Sequence, residues 1–241
     1  MATDEQHQFA PGGVLRAGIN LGNPVIAQAG ADGGEPRGVG PALARELARR
    51  LGLPVTFTCY ETAGKLADAV KQGAWDVGFL AIDPERAQEI DFTDAYVHIE
   101  GTYMVRADSP LARIEDVDRD GIRVAVGLKT AYDLYLSRHL KHAELVRSES
   151  SKAAIAQFLA EKLHVVAGVK QPLVAKAAST PGLRVMNGNF MVIRQAAAVP
   201  RGRTEAKDYF ARFIEEMKSS GFVARALKDS GVEASVAPAA R

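Results

Sequence analysis

The sequence predicts an α/β protein built as two similar lobes, and three observations predict it. Short β-branched runs alternate with segments of helical period from Leu15 to about Met186, the pattern of parallel strands joined by helical crossovers. After the polar break Ala107-Asp108-Ser109-Pro110 the same order of elements begins again. Two long extended runs, over 99–105 and 190–199, bracket the second half and suggest a double hinge. No strict repeat is visible, so the two lobes are read as similar and not as a duplication.

In order, 15–20 reads as a first strand, and Asn23-Pro24 with the Gly/Asp-rich stretch 30–38 as a loop with turn chemistry. A helix follows in which Pro41 suits the first turn, Leu43, Leu47 and Leu51 repeat every four residues, and Gly52 stands where a C-terminal cap belongs. A strand is expected over 55–57, a helix over 64–72 ending at Gly73, and a buried strand over 75–80. Asp83-Pro84-Glu85-Arg86 combines a capping Asp, a Pro at the first helical position and acid in the first turn, which predicts a helix start. The second half gives strands over 122–126, 145–147 and 163–167, and helices over 131–140, over 151–161 and from Pro172. Phe210, Phe213, Ile214 and Met217 share one face of a last amphipathic helix over 204–217.

Composition narrows the function classes. The chain has 241 residues, 47% of them hydrophobic and 24% charged, which fits a soluble globular protein able to bury two cores and excludes disorder. Thirty Lys+Arg against 29 Asp+Glu leave a net charge of +1, so no overall field favours nucleic acid or an anionic membrane. A single cysteine, Cys59, excludes an internal disulfide and a multi-Cys zinc site and reads as a small hydrophobe in a strand. No run approaches 18 apolar residues, and residues 1–13 are too polar for a secretory signal. The chain is therefore expected to be cytoplasmic if Met1 is the native start, or periplasmic if Met1 replaces a leader.

By this point the residues resemble the type II periplasmic solute-binding proteins, specifically family 3, the amino-acid-binding-like substrate-binding components of ABC transporters. The resemblance covers roughly 14–231. It rests on Leu15-Arg16-Ala17-Gly18 and the loop with Pro24, on Gly38-Val39 leading into Leu43-Ala44, and on Gly73-Ala74-Trp75-Asp76-Val77. Most of all it rests on Asp83-Pro84-Glu85-Arg86 followed by Ile90-Asp91-Phe92-Thr93-Asp94-Ala95-Tyr96, which is similar to the family's T-x-x-R and D-F-S-x-P-Y segments. The resemblance implies a hinged clamshell of two mostly parallel sheets flanked by helices. Lobe 1 would be 1–98 plus 195–241, lobe 2 would be 103–190, and the hinges would fall near 98–103 and 190–197. Ligand would sit in the interlobe cleft, where open α/β sheets bind ligands on physical grounds too.

Several residues take expected roles from that resemblance. Arg86 matches the arginine that grips a ligand carboxylate, since a planar guanidinium can offer two parallel bonds; the alternative is a surface Arg pairing with Glu85 or Glu89. Family members that bind amino acids usually carry an acid a few positions after the G-x-x-D-A strand, and it holds the α-ammonium. Here that position is Val169, with Lys170 and Gln171 next, a departure that favours an anion without an ammonium group. The family's G-T-T loop becomes Gly127-Leu128-Lys129-Thr130-Ala131-Tyr132. Lys129 would add positive charge and Thr130 a hydroxyl at a helix start, although Lys129 and Lys170 could equally be solvent-facing and Tyr132 simply packed. Asn20 and Asn23 lie in the ligand-facing loop after the first strand, Asn23 where an aromatic stacker is frequent; a plain Asn-Pro turn is the alternative. Gln171 and Gln195 are weaker cleft candidates.

His139 and His142, three apart on a helix, have metal-ligand spacing, but Arg138 and Lys141 flank them and a solvated basic face is the reading preferred. His164 reads as an edge histidine. No G-x-S-x-G, P-loop or H-E-x-x-H motif occurs, and no metal or cofactor is expected. The function expected is therefore binding of a small anionic solute, a carboxylate lacking an α-ammonium, by a monomer that serves an ABC permease or a related sensor, without nucleic acid or membrane insertion. The alternative is a cytosolic enzyme that eliminates, isomerises or hydrolyses a small carboxylic acid. Cyclohexadienyl dehydratases resemble the same fold, but their cleft acid falls at Val169 here, and Lys170, Lys129 or Glu100 would have to supply proton transfer.

Overall fold

A computed structural model describes residues 4–240. The elements run α1 (Asp4–Phe9), β1 (Leu15–Asn20), α2 (Val39–Leu51), β2 (Val55–Tyr60), α3 (Ala63–Asp68), β3 (Val77–Ala81), β4 (Ile90–Arg106) and β5 (Arg123–Gly127). They continue with α4 (Ala131–His139), β6 (Glu144–Ser148), α5 (Ser151–Ala160), β7 (Val165–Val169), α6 (Lys170–Ser179), β8 (Leu183–Val185), β9 (Met191–Pro200), α7 (Thr204–Ser219), α8 (Phe222–Asp229) and β10 (Ser235–Val236). The chain divides into two compact units. Unit 1 takes the chain up to His98 and again from Arg194, and unit 2 is Ile99–Ile193, so both changes of unit occur inside a strand, β4 and β9.

Unit 1 is built on a parallel trio, β2-β1-β3, with β9 added antiparallel to β3. Its strands carry the 3.6-period helix that the sequence predicts. Leu43, Leu47 and Leu51 of α2 are fully buried, and Gly52 ends that helix at φ 62°, a left-handed conformation that glycine adopts without a Cβ penalty. Trp75 is completely buried among Leu66, Val70, Leu80 and Ile90, and its indole N–H donates to the Leu66 carbonyl at 2.9 Å. Phe210 and Phe213 of α7 are buried as the helical spacing requires, with Phe9 of α1 edge-on to Phe210.

Unit 2 repeats the plan. Its parallel trio is β6-β5-β7, with the second part of β4 antiparallel to β7 and β8 antiparallel to β4. Phe158 and Leu163 close its core against Met104, Ala125, Val166 and Leu173. Ser150 caps α5 by accepting from the Ala153 N–H, and Thr130 caps α4 by accepting from Asp133 N–H.

Two expectations need correction. Asp83-Pro84-Glu85-Arg86 does not open an α-helix: it makes a turn followed by a three-residue 3-10 helix, Arg86–Gln88. The physical reason is that Ile90 already enters β4, so the connection has room for one turn only. Cys59 is exposed and not packed as a hydrophobe, because β2 is an edge strand beside β1 and none of its residues is buried.

Candidate functional site

Parallel strands end together, and in each unit the residues predicted for binding collect at the carboxyl ends of the parallel trio. In unit 1, Asn20 is the last residue of β1, Asn23 follows in the loop, and Asp83 and Arg86 follow β3. Gln195 is the registered partner of Ala81, the last residue of β3, so it lies at the same end. In unit 2, Lys129 and Thr130 follow β5, while Lys170 and Gln171 follow β7. Gly101 is registered opposite Val169, which brings Glu100 to that end as well.

Arg86 is the most constrained of these groups. Its side chain is buried at 6% exposure, and Nη1 donates to the Ala81 carbonyl at 3.0 Å. Burial pulls its pKa down to about 10, opposed by the negative charges of Asp83, Glu85 and Asp68. The guanidinium therefore stays charged at neutral pH. It is not the surface arginine of the alternative reading, because the short turn folds the side chain back under the end of β3, where the Glu85 charge still acts on it. Asp83 itself is buried and accepts from the Glu85 N–H at 2.8 Å, shaping that turn.

The two asparagines act first on the backbone. Asn20 Oδ1 accepts from Gly22 N–H at 2.9 Å, and Asn23 Oδ1 accepts from Val25 N–H at 3.2 Å, as local turns do. Both are buried, and Gln195 is too, at 5% exposure.

In unit 2 the loop 127–130 is shaped tightly. Thr130 Oγ1 accepts from the Asp133 N–H at 3.1 Å and donates to the Gly127 carbonyl at 2.8 Å, so its proton is used within the loop. A Cβ on Gly127 would stand 2.7 Å from the Ser151 backbone nitrogen, which only glycine avoids. Lys129 is exposed and holds φ at 55°. Tyr132 is buried with its hydroxyl donating to Ser151 Oγ at 2.7 Å, a brace between α4 and the start of α5. Lys170, at the first position of α6, is ion-paired with Glu100, each side chain about two-fifths exposed. That pairing offsets the positive charge which the sequence alone assigns to this position. Gln171 is half-buried beside it.

Sequence reasoning missed Asp133 and Arg147. Asp133 is buried; Oδ2 accepts from the Lys129 N–H at 2.8 Å and Oδ1 from Arg147 Nε at 2.9 Å. The signal was present in Thr130-Ala131-Tyr132-Asp133, a capping pattern of T-x-x-D. The Arg147 partner sits 14 residues away on β6 and has no local signal. His139 stacks on Tyr135 and His142 faces Asp120, so each has a separate partner; His164 Nδ1 accepts from the Arg123 N–H. Among the described residues no group of three or more His, Cys, Asp or Glu is placed to hold a metal, and no helix is long and apolar enough to cross a membrane.

A sequence profile of the bacterial extracellular solute-binding proteins, family 3, matches residues 15–229. No curated protein matches the chain. Among solved structures, a mutant of ArgBP from T. maritima is 23% identical with a TM-score of 0.79, covering 95% of this chain and 100% of that one. A solute receptor for L-cysteine of Neisseria gonorrhoeae is 22% identical, with a TM-score of 0.79 over 92% of this chain and 91% of that one. An ancestral amino-acid-binding protein, described as a precursor of cyclohexadienyl dehydratase, is 22% identical, with a TM-score of 0.77 over 94% and 99%. At these identities the likeness is one of fold.

Proposed function

Because the chain belongs to family 3 of the bacterial extracellular solute-binding proteins, whose members deliver small molecules to ABC permeases, we propose that it binds a small carboxylate lacking an α-ammonium group and presents it to such a permease. The buried, charged Arg86 carries this reading. A guanidinium removed from water and held by a backbone carbonyl is oriented before ligand arrives, so little side-chain entropy is lost when it grips a carboxylate. From unit 2 the reading takes the Lys129 charge and the N-terminal turn of α4, while Val169 leaves no acid for an ammonium group at the position where the resemblance has one. Asn20, Asn23, Gln171 and Gln195 would supply neutral hydrogen bonds, and Tyr132 acts by holding α4 against α5.

One observation favours a second reading, a free α-amino acid. Glu100 stands at the carboxyl end of β7 through the Gly101–Val169 register, so its carboxylate could take an ammonium group that Val169 cannot. The amino-acid ligands in the names of the similar structures point the same way.

The test is a thermal-shift screen of small carboxylates and amino acids, followed by calorimetry on each hit with Arg86→Ala and Glu100→Gln. A ligand at about 100 times its Kd adds roughly 2.7 kcal/mol, a clear melting shift. For the carboxylate reading, an ammonium-free acid binds, Arg86→Ala weakens it at least about 100-fold, and Glu100→Gln leaves or improves affinity because Lys170 is released. Binding confined to α-amino acids and abolished by Glu100→Gln overturns that reading in favour of the second. Conversion of the hit into a product during incubation would make the protein an enzyme.

A further inference from the structure

Unit 1 holds a pocket of about 400 Å³ lined by Gln28, Arg37, Arg45, Phe222, Arg225 and Asp229. None of these residues belongs to the set just described. The pocket joins distant parts of the chain: Gln28, in the loop before α2, donates through Nε2 to the carbonyl of Ser230, just past α8, at 3.2 Å. Arg45 is fixed in the wall, with Nη2 donating to Glu35 at 2.7 Å and to the Pro36 carbonyl at 3.0 Å and its guanidinium 4.7 Å above the Phe57 ring. Arg225 donates to the Ser220 carbonyl at 3.0 Å through Nη1 alone. Arg37 is pinned only through its backbone, in a bridge with Gln28, and its guanidinium makes no hydrogen bond or ion pair among the described residues. Asp229 is likewise without a side-chain partner among them.

Three guanidiniums lining one pocket, two of them with donors unspent, make an arrangement suited to an oxyanion, since planar donors match carboxylate or phosphate geometry. The single acid on the opposite side of the charge balance would repel a bare anion and accept a hydrogen bond from a ligand that carries a donor. The apolar surface of Phe222 leaves room for a short carbon skeleton between the two ends. We propose that this pocket is a second small-molecule site, separate from the Arg86 site, for a hydroxylated polycarboxylate or phosphate whose oxyanion meets Arg37 and Arg225 and whose hydroxyl donates to Asp229.

The proposal is tested by NMR titration of the full chain with citrate, with tricarballylate, which lacks only the hydroxyl, and with inorganic phosphate, all at about 150 mM salt to screen diffuse attraction. The expected result is saturable citrate binding with shifts centred on Arg37, Phe222 and Arg225. Arg37→Ala and Arg225→Ala each weaken it about tenfold, and Arg86→Ala leaves the shifts at the pocket residues unchanged. Tricarballylate binds more weakly than citrate in the wild type and equally in Asp229→Ala. Both arginines are exposed, so the variants should keep the wild-type melting temperature. Phosphate shifts at the same residues extend the site to phosphorylated ligands, and tricarballylate as tight as citrate overturns the role given to Asp229. Shifts that never saturate, or that persist in both arginine variants, overturn the site. Shifts lost only with Arg86→Ala assign the binding to the other site and likewise overturn this one.

Discussion

Two buried aspartates, one in each unit, stand at opposite ends of their parallel strands. In unit 1, Asp76 is 1% exposed just before β3, at the amino ends. It accepts from Arg16 Nε and Nη2 at 2.9 and 2.8 Å, from the Arg16 N–H at 3.1 Å and from Arg203 Nη1 at 3.2 Å. In unit 2, Asp133 is 2% exposed at the start of α4, at the carboxyl ends, and ties Arg147 to the Lys129 backbone. Both carboxylates are satisfied by charge-assisted bonds, and both would be costly to unpair. The difference teaches where stability and binding are coupled: the Asp76 anchor of unit 1 lies away from the predicted binding residues, whereas the Asp133 anchor of unit 2 is built into the loop that presents them.

The largest expected effect is on unit 1. Asp76→Ala removes the carboxylate shared by Arg16 and Arg203, which keep only the Gly73 and Phe9 carbonyls, and frees the Arg16 N–H, and it should cost about 3 kcal/mol in denaturant unfolding. Ligand affinity of the folded fraction should be unchanged, and a loss there would break the contrast. Asp133→Ala should cost less, about 2 kcal/mol, since Asp133 holds one guanidinium where Asp76 holds two, but should weaken ligand about tenfold by freeing the Lys129 backbone. Calorimetry showing full affinity in this variant would show that the loop holds its shape without the anchor.

The smallest effect concerns a surface network. Glu46 on α2 accepts from Arg49 and Arg50, and Arg50 also reaches Glu216 on α7. The hydrogen bond from Arg49, followed by that from Arg50, pulls the Glu46 pKa down from 4.5 to about 2. A carboxylate with a lowered folded pKa stabilises above its unfolded value, and that contribution is lost as pH falls from 4.5 towards 2. Screening by water limits the loss to about 1 kcal/mol. Glu46→Gln should flatten the unfolding profile in that window while leaving the Asp76 and Asp133 effects intact.

Much of the fold was legible in the sequence for local reasons. The stripe Leu43-Leu47-Leu51 with Gly52, the alternation of strands and helices, and the helix start at Thr130 depend on neighbours within a few residues. The helix expected at Asp83 failed because the next strand begins only a few residues on, and a capping pattern carries no information about the length available to it. Family membership was also readable, from motifs spread over most of the chain.

By itself, then, the sequence determined which residues follow which strand, and parallel pairing turns that order into a shared end for Asn20, Arg86 and Gln195 and another for Lys129, Lys170 and Glu100. Tertiary structure alone decided the electrostatic state of those groups. Arg86 is charged but desolvated, Lys170 is ion-paired with a glutamate 70 residues away, and Arg37 and Arg225 line one pocket from distant parts of the chain. The reason is that desolvation and pairing depend on what long-range folding brings within a few ångströms, whereas strand order and helix caps are set by residues already adjacent along the chain.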